Sequence, residues 1–205
     1  MYNVKEIFRS IQGEGYHMGT PCFFIRFAGC NLACDFCDTK ETWQGGEEMS
    51  SSDILKAMFK ELGSSNSPRL VVLTGGEPCL QEDLSDLIDR LHEEGFYVSM
   101  ETNGTLPTPE NIDWVTCSPK QSAEVVNKEY FIHPTCNFNE LKYVVTPEFK
   151  LSDIREGLFY RKNVIIWLQP ESSNMEQMWL NCLRLVEQQP KLRVGCQLHK
   201  IMNVR

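Results

Sequence analysis

The 205-residue chain lacks long apolar runs, and no stretch approaches the roughly 20 residues that a membrane-spanning helix needs. It also lacks an N-terminal stretch with the basic and then apolar pattern of a signal peptide. Basic residues are in the minority, since 20 Lys and Arg stand against 28 Asp and Glu. We therefore expect a cytoplasmic protein that binds neither a membrane nor nucleic acid, whose phosphates require a basic surface.

Linkers, internal repeats and low-complexity tracts are also absent, so residues 1–205 are expected to form a single domain. Short apolar runs alternate with segments of helical spacing, which predicts β/α units around a parallel sheet. An eight-unit barrel typically needs about 250 residues. We therefore expect an α/β fold in the form of an incomplete, open, TIM-like barrel of roughly six parallel strands. The predicted strands are 22–28, 70–74, 97–102, 114–118, 141–146, 164–169 and 192–197, and the predicted helices are 51–62 (capped by Ser52), 80–94, 152–159 and 174–188, with a long loop over 121–139.

Polar and glycine-rich segments follow four of these strands, at 75–78, 101–104, 118–120 and 169–171. Ligands of β/α folds bind at the carboxyl ends of the strands. The four segments should therefore line one rim of the barrel and form a binding site there.

Three of the nine cysteines, Cys30, Cys34 and Cys37, are spaced as CxxxCxxC. A reducing compartment disfavours disulfides, so clustered thiols indicate metal or redox chemistry. Three thiolates can bind three irons of a 4Fe-4S cluster and leave the fourth iron open to the amino and carboxylate groups of a methionine. Two alternatives remain from the spacing: a zinc site completed by Cys22, His17 or Asp38, or three cysteines with no shared role.

A glycine-rich turn, Leu73-Thr74-Gly75-Gly76-Glu77-Pro78, follows the second predicted strand about 40 residues after the cysteines. Together the two motifs resemble the signature of the radical S-adenosylmethionine superfamily. The resemblance implies a 4Fe-4S cluster and S-adenosylmethionine as cofactors. It also implies that the turn binds the methionine ammonium, and that Phe36 packs near the adenine.

Further elements occur in order along the chain: FRSIQGEG at 8–15, Arg26, CDT at 37–39 and QLHK at 197–200. This set resembles the 7-carboxy-7-deazaguanine synthase family of queuosine and deazapurine biosynthesis, from about residue 5 to about residue 201. The resemblance implies a lyase that converts 6-carboxy-5,6,7,8-tetrahydropterin into 7-carboxy-7-deazaguanine with loss of ammonia. It further implies a homodimer, a magnesium ion beside the cluster, and an electron donor such as flavodoxin or ferredoxin.

Arg26 is a basic residue within an apolar strand, where its guanidinium suits bidentate capture of a substrate carboxylate or, alternatively, an ion pair within the barrel wall. The resemblance assigns the remaining roles. It implies that Thr39 binds magnesium and that Asp38 supports the cluster loop. The substrate-binding residues it implies are Gln12, Gly13, Glu14, Arg26, Thr74 and His199, and the cofactor-binding residues are Phe36, Asp38, Gly76, Glu77, Ser118, Pro119, Lys120, Gln169 and Pro170.

Two other functions stay open at this point. A glycyl-radical activating enzyme also carries CxxxCxxC but acts on a protein and needs no pterin pocket. A zinc-stabilised binding module without catalysis would explain the cysteines alone. Metal content would separate the second alternative from the first, and the substrate would separate the two radical enzymes.

Overall fold

The computed structural model describes residues 1–63, 67–120, 131–171 and 175–204, which contain nine strands and four α-helices. The strands and helices alternate along most of the chain, as the apolar periodicity predicts. In chain order they are β1 (Tyr2–Ile11), β2 (Pro21–Phe27), β3 (Glu47–Met49), α1 (Ser51–Leu62), β4 (Leu70–Gly75), α2 (Leu84–Glu93), β5 (Tyr97–Thr102), β6 (Trp114–Cys117), β7 (Glu140–Val145), β8 (Ile165–Pro170), α3 (Met175–Gln188), β9 (Leu192–Val194) and α4 (Leu198–Met202).

All nine strands of the described chain form one open sheet in the order β3-β1-β2-β4-β5-β6-β7-β8-β9. Seven of them, β2 and β4 to β9, run parallel, while β1 pairs antiparallel with β2 and with β3. The predicted incomplete β/α barrel is confirmed. The structure adds β1 and β3, which were not among the predicted strands, because the charged residues of β1 obscure its apolar alternation.

Successive residues of each parallel strand face opposite sides of the sheet, and the two sides have different roles. In β7, Leu141 and Tyr143 belong to the apolar core, whereas Lys142 and Val144 line a cavity on the other face. One core cluster joins α1 and α2 to the first half of the sheet, and a second includes α3 residues such as Cys182. Helices thus stabilise one face, and polar residues are collected on the other.

Several predicted boundaries are wrong in detail. The cap of α1 is Ser50, whose Oγ accepts a hydrogen bond from the Asp53 amide at 3.2 Å, and not Ser52. The helix predicted over 80–94 begins only at Leu84, because the preceding residue, Asp83, has a left-handed backbone (φ 55°) that breaks helical geometry.

The helix predicted over 152–159 is two 3₁₀ turns, Leu151–Asp153 and Glu156–Tyr160, since Ile154 between them is extended. In the predicted long loop 121–139, residues 121–130 lie outside the described residues, and 131–139 contain no helix or strand. Within the described part of the chain, no helix combines the length and apolar character required to cross a membrane.

Candidate active site

The glycine-rich turn after β4 is bonded directly to the backbone that leads into the cysteines. The amide of Gly76 donates to the Phe27 carbonyl at 3.0 Å, and that of Glu77 donates to the Gly29 carbonyl at 2.8 Å. A Cβ added to Gly76 would lie 1.9 Å from the Gly29 oxygen, so only glycine permits this approach. The turn therefore fixes the position of Cys30, the residue that follows Gly29.

The carboxylate of Glu77 lies beneath this turn and is fully buried. It accepts hydrogen bonds from the Asn103 amide (2.7 Å), the Thr102 hydroxyl (2.7 Å) and the Cys79 amide (3.1 Å). Burial raises the pKa of Glu77, although these bonds oppose the shift. The Asn103 side chain donates onward to Asn31 Oδ1 at 2.9 Å, so Glu77 connects β5 to the cysteine segment.

Cys30, Cys34 and Cys37 all line the same cavity as free, partly exposed thiols. Burial raises the pKa of Cys30 and of Cys34, and the nearby Lys120 ammonium opposes the shift at Cys34. Among the described residues, no three His, Cys, Asp or Glu side chains are close enough to share one metal ion. A zinc ion needs all its ligands on one centre, whereas each thiolate of a 4Fe-4S cluster binds a different iron, so three thiols at one cavity are compatible with the cluster.

The hairpin between β1 and β2 brings the predicted recognition segment 12–14 into this cavity. Gln12 Nε2 donates to Glu101 Oε1 at 3.2 Å, and the Thr74 hydroxyl donates to Glu101 Oε2 at 2.9 Å. The Gln12 side chain also accepts from the Glu14 amide at 3.1 Å. A carboxylate on β5 that the sequence did not assign therefore joins two residues that it did.

Glu14 is held by groups from the opposite side of the barrel. Lys142 Nζ on β7 donates to its Oε2, and Gln197 Nε2 donates to its Oε1 at 2.8 Å. Burial alone would raise the pKa of Glu14, but the Lys142 ammonium and these two hydrogen bonds outweigh burial, so the pKa lies below its usual value. Glu14 is thus an ionised carboxylate inside the cavity.

The short C-terminal helix α4 covers the recognition segment. The Leu198 amide donates to the Gly13 carbonyl at 2.9 Å. A Cβ on Gly13 would lie 2.0 Å from His199 Nδ1 and 3.0 Å from the His199 amide nitrogen. Glycine at position 13 therefore permits α4 to pack against the segment, and this packing brings His199 to the cavity wall.

The same helix also contacts the cluster loop. Lys200 Nζ donates to Asp38 Oδ2 at 2.7 Å, and Gln197 Nε2 lies 3.4 Å from that oxygen. Burial would raise the pKa of Asp38, but the hydrogen bond and charge of Lys200 lower it below its usual value. Thr39 follows, with its hydroxyl 3.7 Å from Cys37 Sγ.

Arg26 lines the cavity from β2 while pairing with its cross-strand neighbour on β1. Its Nε donates to Glu6 Oε1 at 2.8 Å. The guanidinium carries five N–H donors, so this ion pair leaves others for a ligand. Arg26 can therefore form an ion pair within the barrel wall and still offer N–H groups to a substrate carboxylate.

The segment after β6 brings a second lysine into the cavity. Lys120 Nζ donates to the Ser118 hydroxyl at 2.5 Å and lies 5.7 Å from the centre of the Phe36 ring. The Ser118 hydroxyl in turn donates to the Lys142 carbonyl at 2.8 Å. Burial, together with the Lys142 charge, lowers the pKa of Lys120. An aromatic ring under an ammonium beside the thiols suits a flat, polar ligand.

The cavity volume is about 260 Å³, close to the lower end of the range for small-molecule sites. Three of the predicted site residues, Gly13, Glu77 and Pro119, do not line it. Those that do are Gln12, Glu14, Arg26, Cys30, Cys34, Phe36, Cys37, Asp38, Thr39, Thr74, Gly76, Ser118, Lys120, Gln169, Pro170 and His199.

Four further residues with hydrogen-bonding roles were not assigned from the sequence: Glu101, Asn103, Lys142 and Gln197. Glu101 and Asn103 belong to a segment predicted to lie at the rim, and Gln197 belongs to the QLHK motif. The signal for Lys142 is a charged residue at the centre of the apolar strand ELKYVV, which is rarely buried without a partner.

The description "Radical SAM superfamily" belongs to the family model that matches residues 24–115. A 7-carboxy-7-deazaguanine synthase of Bacteroides thetaiotaomicron is 41% identical over 206 residues, covering 100% of both chains. One of Bradyrhizobium diazoefficiens is 37% identical, covering 100% of this chain and 99% of its own. A crystal structure of QueE from Escherichia coli has a TM-score of 0.75 and 32% identity, covering 97% of this chain and 94% of that one.

These full-length matches agree with the geometry of the cavity, in which the three cysteines and the glycine-rich turn meet the recognition segment. The thiol spacing and the close approach at Gly76 fit a 4Fe-4S cluster and S-adenosylmethionine, the cofactors of the superfamily. On this evidence, the chain belongs to the 7-carboxy-7-deazaguanine synthase family of radical S-adenosylmethionine enzymes.

Proposed function

We propose that this protein converts 6-carboxy-5,6,7,8-tetrahydropterin into 7-carboxy-7-deazaguanine with release of ammonia, as a lyase of deazapurine and queuosine biosynthesis. The observation that carries the proposal is one cavity in which the cysteines lie together with Glu14 and Arg26. The three thiols suit a radical-generating cofactor, and Glu14 and Arg26 suit a heterocycle that bears a carboxylate.

When bound, the cluster and S-adenosylmethionine would supply radical chemistry for hydrogen abstraction from the substrate. The protein supplies orientation, electrostatics and shelter from water. Cys30, Cys34 and Cys37 hold the cluster, and Gly76 permits close approach of the methionine part. Phe36, Ser118, Lys120, Gln169 and Pro170 line the cavity, where they can contact the rest of the cofactor, while Asp38, Glu77 and Pro119 support the segments that carry these contacts.

The substrate is held by complementary groups at its two ends. Arg26 presents guanidinium N–H groups to the substrate carboxylate while Glu6 keeps its orientation. Glu14, ionised by its pairing with Lys142, accepts hydrogen bonds from the amino and ring N–H groups of the pterin. Gln12, Thr74 and His199 line the walls between these two ends, and Gly13 lets α4 cover the site.

Further parts of the proposal rest on family resemblance. Thr39 offers a hydroxyl oxygen, a ligand type that magnesium prefers, and would help to hold the ion at the cavity. The protein is a cytoplasmic homodimer, residues 1–205 form a single domain, and a flavodoxin or ferredoxin delivers the electron. One continuous nine-stranded sheet in the described chain supports the single-domain assignment.

The alternatives are less favoured. A glycyl-radical activating enzyme needs no ionised carboxylate opposite the cluster, and its family is not the one that matches over the full length. A zinc-stabilised binding module would explain the cysteines alone, whereas the relatives that match over the full length are 7-carboxy-7-deazaguanine synthases.

The test is turnover by protein that has been reconstituted anaerobically with iron and sulfide. With S-adenosylmethionine, magnesium and a strong reductant, it should convert carboxytetrahydropterin into a deazapurine with the ultraviolet spectrum and mass of 7-carboxy-7-deazaguanine. Omitting magnesium in a parallel reaction tests the role of Thr39. A reducible cluster protein that cleaves S-adenosylmethionine but gives no deazapurine would contradict the proposal.

A further inference from the structure

Lys142 lies within β7, a strand that is apolar apart from Lys142 and Glu140, and only 9% of its surface is exposed. Its neighbours Leu141 and Tyr143 pack into the core, whereas Lys142 projects into the cavity. A buried ammonium is unfavourable unless a partner compensates its desolvation. Its partner therefore indicates why the strand carries a lysine here.

That partner is Glu14, which comes from the β1–β2 hairpin, 128 residues earlier in the chain. Lys142 binds Glu14 Oε2, while the Gln197 amide occupies Oε1 at 2.8 Å. Both contacts donate to Glu14, so they hold it as an ionised group that can only accept hydrogen bonds. Among its described contacts, the ammonium of Lys142 is the group that carries the opposite charge.

The charged groups around Lys142 and Glu14 show how strongly each of the two depends on the other for its charge. In spite of burial, which would lower it, the pKa of Lys142 lies above the usual lysine value, because Glu14 and then Glu101 on β5 and Glu140 on β7 raise it. Other titratable groups that act on the pair include Lys120, after β6, His199, on α4, Asp38, in the loop that carries the cysteines, and Cys196, before α4. Without Lys142, Glu14 would be a buried carboxylate in a cavity that already holds Glu101, and burial would raise its pKa without an opposing ammonium.

We propose that Lys142 is a positioning residue that sets the substrate specificity of the site by keeping Glu14 an obligate acceptor. The inference rests on the proposed function, in which Glu14 meets the amino and ring N–H edge of the pterin. An ionised Glu14 binds a heterocycle that presents N–H donors at this edge, and it repels one that presents a carbonyl oxygen there. A protonated Glu14 could donate a hydrogen bond and would lose this discrimination.

The test compares two ligands that differ only at this edge: the proposed substrate 6-carboxy-5,6,7,8-tetrahydropterin, with a 2-amino group, and 6-carboxy-5,6,7,8-tetrahydrolumazine, with a 2-oxo group. Calorimetric titration of reconstituted holoenzyme with S-adenosylmethionine, between pH 5.5 and 7.5, gives both dissociation constants. Wild type should prefer the pterin across this range. In Lys142→Met, the Kd for the pterin should rise as pH falls, by up to about tenfold per pH unit, and the preference over the lumazine should shrink about tenfold.

Matched variants identify the cause. Lys142→Arg keeps the cation and should restore the wild-type profile. Lys142→Gln keeps a donor to Glu14 without a charge, should behave like Lys142→Met, and serves if the Met variant does not fold. The double variant Glu14→Gln with Lys142→Met removes the carboxylate at position 14, so any slope left in it does not come from Glu14. Lys56→Met breaks an exposed ion pair with Asp53 and should change nothing.

The outcomes separate the two proposals. Failure of the wild type to bind the pterin contradicts the proposed function. If the wild type binds the pterin, but Lys142→Met has the same preference for pterin over lumazine and the same pH dependence of Kd, only the role of Lys142 is overturned. A uniform loss of affinity for both ligands at every pH, not restored by arginine, also overturns it, because that pattern is a structural defect.

Discussion

The contact between Gly76 and Gly29 gives the strongest quantitative prediction, for the substitution Gly76→Ala. The added methyl group would lie 1.9 Å from the Gly29 oxygen and 2.5 Å from its carbonyl carbon, whereas ordinary contacts begin at 3.4 Å. The two backbone segments must therefore separate by about 1.5 Å. Both contacted atoms belong to the backbone, so no side-chain rotation can relieve the clash.

The energetic cost follows from the bonds across this contact. Separation breaks the 2.8 Å hydrogen bond from the Glu77 amide to the Gly29 carbonyl and strains that from Gly76 to Phe27. Each backbone hydrogen bond contributes about 1 kcal/mol, and overpacking of this kind costs about 1–3 kcal/mol. We expect Gly76→Ala to lower the free energy of unfolding by about 2–4 kcal/mol and to displace Cys30.

Two measurements check this prediction: urea unfolding of the iron-free protein under reducing conditions, and iron bound per chain after reconstitution. The matched control is Gly157→Ala, because a Cβ at position 157 meets no atom within 4 Å. The control should unfold within about 0.5 kcal/mol of wild type and bind a full complement of iron. If Gly76→Ala matches this control in both measurements, the close approach of Gly76 to Gly29 does not constrain the fold or the position of Cys30.

Three further predictions concern the cluster and its cover. Cys34→Ala should abolish iron binding but leave the unfolding transition within about 1 kcal/mol, because Cys34 is a partly exposed loop residue outside the described core clusters. Gly13→Ala should push His199 outward and weaken pterin binding about tenfold, while hydrogen exchange in 198–202 becomes faster. Lys200→Met should make the free energy of unfolding fall less steeply as the pH is lowered. The lowered pKa of Asp38 stabilises the folded protein above about pH 4, and this stabilisation is lost as the pH falls through the folded pKa. Because the pair of Lys200 and Asp38 is partly exposed, it contributes less than about 1 kcal/mol.

Each of these predictions has a result that would contradict it. Iron retained by Cys34→Ala would mean that another residue completes the cluster site. Unchanged pterin affinity in Gly13→Ala would show that α4 does not shape the pocket. If the free energy of unfolding of Lys200→Met falls as steeply at low pH as that of wild type, Lys200 does not stabilise the ionised form of Asp38. Lys56→Met is the matched surface control.

Much of the site could be predicted because its signals are local in sequence. Cys30, Cys34 and Cys37 lie within eight residues, and the glycine-rich turn is one continuous segment. A parallel sheet then places the ends of its strands at one rim, so residues that follow different strands can be expected to meet. The fold class could be predicted for the same reason, since alternating apolar runs and helical spacings specify β/α units.

Residues whose role depends on a distant partner could not be assigned in this way. Glu101 matters because Gln12 and Thr74 both donate to it, and Lys142 matters because Glu14 reaches it from a hairpin at the other end of the chain. No spacing rule links positions so far apart. Strand β1, which lies between β2 and the short edge strand β3, was missed because charged residues interrupt its apolar alternation.

The chemical motifs of this protein can be read from its sequence alone: three closely spaced cysteines, a glycine-rich turn, and polar segments that follow the strands of a β/α fold. Only the tertiary structure decided the electrostatics, because the charge state of Glu14 depends on burial and on an ammonium supplied by β7. It also decided how α4 covers the site, through the contact of His199 with Gly13 and of Lys200 with Asp38. Pairing across the barrel is a property of the packed sheet, and a linear pattern of residues does not encode it directly.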